Sequence, residues 1–222
     1  MIFLQFFRQL DDLLYEVMSW GVFYPVTLGR VMRNPVRMMD YADSELSVSS
    51  EEQYPDVLSP PLFLLLSVLL AHAIELAVFG SGPKITPDKG LSQLLQTDTN
   101  LVLFRLVCFA TFPLVTSTAL LVAKGTRINR NTLKMPFYAQ CYAAASFALL
   151  FSLAGTLIRL HWPETSIAGA VIVLIAIPGY LFVQTLWLRR HLECGMGKAF
   201  AVALISYLVS LCVLGLVTPL VS

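Results

Sequence analysis

The sequence is short of charge. Only 13% of its 222 residues are Asp, Glu, Lys or Arg, against about 25% in soluble domains, while 57% are hydrophobic and the mean hydropathy is +0.73. So little polar surface cannot cover a water-facing globule. That excludes an ordinary soluble domain and leaves the polytopic membrane class. Neither sign of charge dominates: 15 Lys and Arg oppose 14 Asp and Glu, a net charge of +1. The basic excess that a nucleic-acid binder gathers on one face is therefore missing. Cysteine is scarce. Cys108, Cys141 and Cys212 sit in apolar runs and Cys194 in a short polar loop, with no CxxC or Cys/His grouping, so neither a zinc site nor a disulfide framework is indicated. Histidine is scarcer. Only His72 falls inside an apolar run, with His161 and His191 in loops, whereas a membrane haem of the b type needs paired axial histidines. No P-loop, GxSxG or HExxH motif occurs. The expectation is a non-enzymatic chain without cofactor or metal.

What the sequence does contain is five apolar runs of the length that crosses a hydrocarbon core, about 20 helical residues. They extend from Pro60 to Gly80, Asn100 to Ala123, Met135 to Ile158, Ile167 to Leu188 and Ala199 to Leu220. The fold class is all-α: a five-transmembrane-helix bundle preceded by amphipathic, interfacial helices. Lys and Arg outside the runs fix an orientation. Eleven gather on one side (Arg8, Arg30, Arg33, Arg37; Lys124, Arg127, Arg130, Lys134; Arg189, Arg190, Lys198) and three on the other (Lys84, Lys89, Arg159). The N-terminus is accordingly expected in the cytoplasm and the C-terminus outside, in the cell's inner membrane.

Residues 1–58 differ in kind and are expected to form a cytoplasmic unit ahead of the transmembrane domain, 59–222. Phe3, Phe6, Phe7, Leu10, Leu13, Leu14 and Val17 recur at helical spacing, with Gln5, Arg8, Gln9, Asp12 and Glu16 opposite. This is an amphipathic helix over residues 1–20, not a signal peptide, which would need a basic start and an unbroken apolar stretch. Its charges make it a poor sixth crossing, since each costs about 2.5–3.5 kcal/mol at a bilayer centre. Asn34-Pro35 starts a second short helix, with Asn as N-cap and Pro at the first helical position. Arg30, Arg33 and Arg37 cluster around that break among Val31, Met32, Val36, Met38 and Met39. Such a segment lies at the headgroup level, its arginines either snorkelling or holding a phospholipid headgroup or another anion. Asp40 to Asp56 is acidic (Asp40, Asp43, Glu45, Glu51, Glu52, Asp56) and reads as a solvated linker.

Ionisable groups within spans are expensive, so they mark candidate sites. His72 and Glu75, three apart, share a face of the first span; Arg105 stands at matching depth on the second, antiparallel one. An Arg can satisfy a carboxylate with two parallel donors. The trio is either a clamp between helices or a proton- or anion-responsive site open to the outer side. Pro113 and Pro178 sit mid-span and are expected to kink their helices, with Thr111, Thr116, Ser117, Thr118 and Gln184 nearby to repair the freed backbone. Ala143-Ala144-Ala145, Ala148 and Gly155 give the third span a small-residue face for close packing.

The layout as a whole, with the Gly29-Arg30-Val31-Met32-Arg33-Asn34-Pro35 segment, Ser59-Pro60-Pro61 and five spans, resembles bacterial members of the Yip (Ypt-interacting-protein) domain superfamily. The Asp-Leu-Tyr-Gly-Pro motif of the eukaryotic members is absent. The resemblance implies a permease-like membrane protein and carries over no catalytic residue. A transport-related function and a scaffold or accessory role in a membrane complex both stay open. A chain this small is expected to work as a homo-oligomer or beside a partner membrane subunit, among membrane lipids and away from nucleic acid. The orientation is checked by replacing Ser222 with cysteine in a Cys-free chain: an impermeant maleimide should label it from outside, and labelling from the cytoplasm alone would reverse the topology.

Overall fold

The computed structural model describes residues 2–47, 53–80 and 97–221, excepting the side chains of 2–10, 12–13 and 217–221. These residues form seven helices and no strand: α1 (Ile2–Arg33), α2 (Pro35–Glu45), α3 (Pro60–Phe79), α4 (Asp98–Ala123), α5 (Arg130–Arg159), α6 (Pro163–Leu192) and α7 (Met196–Val221). Five of them, α3 to α7, are long and apolar enough to cross a membrane. Each expected span is present. Most of the helices extend past the apolar run, because hydropathy marks the hydrocarbon-crossing part while the backbone winds on to its caps. Thus α5 starts at Arg130 behind a capping box in which the Asn129 side chain accepts from Thr132 N–H and Thr132 answers the Asn129 N–H. Gly80 closes α3 in the left-handed region, at φ 68°, with its N–H on the Leu76 carbonyl.

Helix α5 is the axis of the molecule and packs on α1, α2, α3, α4 and α6. Its composition explains this. Ala139, Ala143, Ala144, Ala145, Ala148 and Ala154 are all buried, and side chains this small let neighbouring backbones come close, the usual basis of helix association in lipid. Gly155, in contrast, is exposed, with open space where a Cβ would stand; the packing residue at that level is Ala154. Facing it on α6 is Gly169, whose added Cβ would lie 2.7 Å from the Ala154 carbonyl oxygen and 2.8 Å from Ile158 Cγ1.

The N-terminal region departs most from expectation. The first helix does not stop near residue 20 but continues through Pro25 to Arg33. Along its second half Trp20, Phe23, Tyr24 and Leu28 pack on the core, with Val31 buried, while Tyr15 (77% exposed), Met18 (76%) and Val22 (64%) face outward. Helix α2 then turns back. Val31, Met32 and Pro35, at the elbow, line a cavity of about 230 Å³ with Phe147 of α5 and Ile175 and Gly179 of α6, residues near the middle of those spans. At the far end of α2, Asp40 pairs with Arg190 at 2.7 Å and Asp43 with His191 at 3.1 Å, in the last turn of α6. So α1 and α2 form a helical hairpin whose elbow sits beside residues near the middle of α5 and α6.

The acidic stretch is correspondingly not a solvated linker along α2, although Asp56, beyond it, is exposed. Asp40 and Asp43 latch α2 to α6, and Glu45 accepts the Tyr54 N–H at 2.7 Å; Glu51 and Glu52 lie outside the described residues. Asn34 takes the N-cap position before Pro35, but its side chain makes no capping bond. Nor does residue 58 end a separate core. Val57 and Leu58 are buried with Phe63 and Tyr142, and the backbone of Leu58 is tied on both sides, its N–H to Thr27 Oγ1 (3.0 Å) and its carbonyl to the Tyr142 hydroxyl (2.8 Å). The helix crossing gives a controlled test. Gly169→Ala should lower stability by about 1–3 kcal/mol through overpacking, whereas Gly155→Ala and Gly179→Ala, which meet nothing, should be neutral or slightly stabilising. Thermal unfolding in one detergent measures all three, and an undisturbed Gly169→Ala would refute the close crossing.

Candidate functional site

The ionisable groups of the spans converge at one end of the bundle. Helix α3 puts His72 and Glu75 on one face, each about 5% exposed. Helix α4 offers Asp98 and, two turns on, Arg105; helix α5 adds its last residue, Arg159. Arg105 Nη2 lies 2.6 Å from Glu75 Oε2, and Arg159 Nη1 donates to Glu75 Oε1. Each oxygen of one buried carboxylate thus faces its own guanidinium, from two different helices. Arg159 also lies over the Phe79 ring, 4.2 Å from its centroid, a favourable cation–π placement. Arg105 Nη1 reaches His72 Nδ1 at 3.5 Å. Because a guanidinium only donates, Nδ1 is the acceptor and the ring proton of His72 belongs on Nε2. That nitrogen is buried without a hydrogen-bond partner and stands 3.9 Å from Asp98 Oδ1, whose side chain is 63% exposed.

Sequence reasoning brought His72, Glu75 and Arg105 together correctly in space but counted Arg159 as a loop charge and passed over Asp98. The signal for Arg159 was available: it ends an apolar run at the same level as Glu75, the depth match that singled out Arg105. Chemically the triad is committed to ion pairing. Glu75 cannot take a proton or a cation without weakening its pairs, and each arginine lies beside the same carboxylate. Two buried atoms of the cluster lack a hydrogen-bond partner, Glu75 Oε2 and His72 Nε2.

The mid-height of the bundle is closed by aromatic rings. Phe112, Phe147, Tyr180 and Tyr207 have all their mutual centroid distances between 4.8 and 6.4 Å. Next to them Gln184 Nε2 donates to Gln140 Oε1, both side chains buried. This replaces the expected repair role of Gln184 near Pro178. Likewise the Thr111 and Thr118 hydroxyls bond the carbonyls of Val107 and Leu114, not the carbonyl of Phe109 that Pro113 leaves without its donor. Helices α4 and α6 run unbroken through Pro113 and Pro178.

Arg30, Arg33 and Arg37 do share one place. With Asn34, Met38 and Tyr41 they line a concavity of about 410 Å³ at the α1–α2 elbow. Among the described residues no carboxylate pairs with any of the three. The phenol of Tyr41 at this rim is pushed up to about 12 by burial first, then by its hydrogen bond to Glu45 and the charges of Glu45 and Asp56, with Arg30 pulling the other way. It remains a neutral hydroxyl at every physiological pH. No three His, Cys, Asp or Glu side chains among the described residues converge so as to hold a metal ion.

Comparison with protein-family models, curated proteins and solved structures returned no match. The class defined by fold and site is therefore a multi-pass helical membrane protein with an ion triad at one end of its bundle. The triad makes a graded prediction. Glu75→Gln strands two cations in low dielectric and should cost about 3–5 kcal/mol. Arg105→Gln should cost less, because Arg159 stays, and Arg159→Gln least, being the more exposed partner (36% against 21%). The Glu75→Gln/Arg105→Gln pair should recover part of the loss. Thermal unfolding of the four variants tests this, and additive losses would refute the coupling.

Proposed function

We propose that this protein is a non-enzymatic integral protein of the inner membrane, with its N-terminus in the cytoplasm, that serves as a scaffold or accessory subunit of a membrane assembly. The observation that carries this reading is the closed bundle. Packed rings fill its middle, the Glu75 triad ties α3, α4 and α5 at the outer end, and the cavities described above open at the α1–α2 elbow, away from His72, Glu75 and Arg105. A conduit needs a wet path to its ionisable groups; a scaffold needs a rigid body and an outward apolar surface. The likeness to the Yip superfamily, which rests on the span count, Asn34-Pro35 and Ser59-Pro60-Pro61, implies a permease-like protein and leans toward the second reading instead.

A transport-related, permease-like role is the second reading, favoured by one observation. His72 Nε2 is buried without a hydrogen-bond partner and stands 3.9 Å from an exposed carboxylate, Asp98, so an ionisable ring in the interior of the bundle lies next to a group open to the outer side. Reconstitution separates the two. For a scaffold, vesicles carrying the protein or its His72→Phe variant should leak protons no faster than empty ones, and the detergent-extracted native mass should exceed one 24.6 kDa chain. Proton flux in the parent that disappears in a stably folded His72→Phe variant would establish transport instead.

A further inference from the structure

We propose that the α1–α2 elbow is a binding site for the phosphate of an anionic phospholipid from the cytoplasmic leaflet. Three guanidiniums from two helices line a single concavity with an amide (Asn34) and a phenol (Tyr41) at hand as further polar groups. Unlike Arg105, Arg159 and Arg190, which each have a carboxylate, none of the three is neutralised among the described residues. Glu45 and Asp56 act on Tyr41 at the rim but pair directly with none of the three, so the like charges repel one another, and the arrangement is relieved by an anion with several acceptor oxygens, which guanidinium forks fit better than ammonium groups. Helix α2 opens beside Arg33 and Arg37, and the Asn34 side chain makes no capping bond there, so the partial positive charge of a helix start adds to the three guanidiniums.

The apolar surface beside the arginines decides between a lipid and a free anion. The elbow residues alternating with the arginines, Val31, Met32 and Pro35, line an apolar cavity against mid-span residues of α5 and α6. Along α1 itself Met18, Val22 and Val26 stand exposed and apolar, a surface suited to acyl chains. A phosphate bound here has hydrocarbon on the same helix within a few turns. Free phosphate would use the arginines and leave the apolar side unused. An amphiphile uses both.

The test titrates the purified full-length protein, in a neutral detergent, with short-chain phosphatidylglycerol, short-chain phosphatidylcholine or inorganic phosphate, reading bound species by native mass spectrometry. Phosphatidylglycerol should bind in preference to phosphatidylcholine. The Arg30→Gln/Arg33→Gln/Arg37→Gln variant should bind it about a hundredfold more weakly, at about fivefold for each basic residue near an anionic headgroup. The control, Arg127→Gln/Arg189→Gln/Lys198→Gln, removes the same charge from exposed positions at the same end of the bundle and should lose much less. Equal losses in the two variants would mean generic attraction and overturn the site. Inorganic phosphate competing at the same concentration as the lipid would overturn the lipid assignment. Should the glutamine variant fail to fold, the triple lysine variant retains the charge and removes the fork; it should bind several-fold more weakly, and undiminished binding would overturn the site.

Discussion

A carboxylate buried in a hydrocarbon-spanning bundle has to be neutralised where it stands, and Glu75 is the point on which this bundle is fixed. A buried ion is tolerable only when its partners are in place and its lone pairs are used. Glu75 is neutralised by one arginine from α4 and one from α5, which sets the longitudinal register of three helices against each other. Sliding any of them by a turn, 5.4 Å, would separate a pair. Apolar helix packing in lipid has no such strict register, because lipid chains compete with every apolar contact on nearly equal terms. The triad thus specifies an arrangement that the greasy faces of α3, α4 and α5 leave open.

Helix α5 transmits this register to the rest. Its alanine-rich face admits α3, α4, α6 and α2 at close range, and the same helix supplies Tyr142, whose hydroxyl holds the Leu58 carbonyl at the entry to α3. The N-terminal hairpin is fastened at its two ends by different chemistry. Near the elbow it is held by apolar contacts of Val31 and Pro35; at its far end Asp40 and Asp43 bond Arg190 and His191, the His191 ring stacked on Trp187 with centroids 4.0 Å apart. Polar fastening is effective there, and apolar packing is the only economical choice deeper in.

How much of this could be read from the chain follows from what a hydropathy pattern encodes. Five spans, their antiparallel sequence and the meeting of His72, Glu75 and Arg105 all rest on local composition and on depth, and all are present. Arg159 was missed because a charge at a span's end looks like a topological marker even when it turns inward. The hairpin was missed for a different reason. Polar residues of α1 and α2 suggested water or headgroups, but Asp40, Asp43 and Glu45 spend their polarity on partners within the fold, and a sequence does not say whether a carboxylate faces solvent or a distant arginine. Gln140 and Gln184 illustrate the same limit: two buried amides, 44 residues apart, share a hydrogen bond, and neither carries a mark of its partner in its own neighbourhood.

The claim on which the account depends is that both arginines engage one carboxylate at the same time. Solid-state NMR of the protein in lipid bilayers, labelled with carbon-13 and nitrogen-15, measures it directly through dipolar correlation of the Glu75 carboxyl carbon with guanidinium nitrogens. Two correlations, to Arg105 and to Arg159, are predicted. A Glu75 carboxyl that correlates with neither, or with Arg105 alone while Arg159 reports a solvent-exposed guanidinium, would contradict the account.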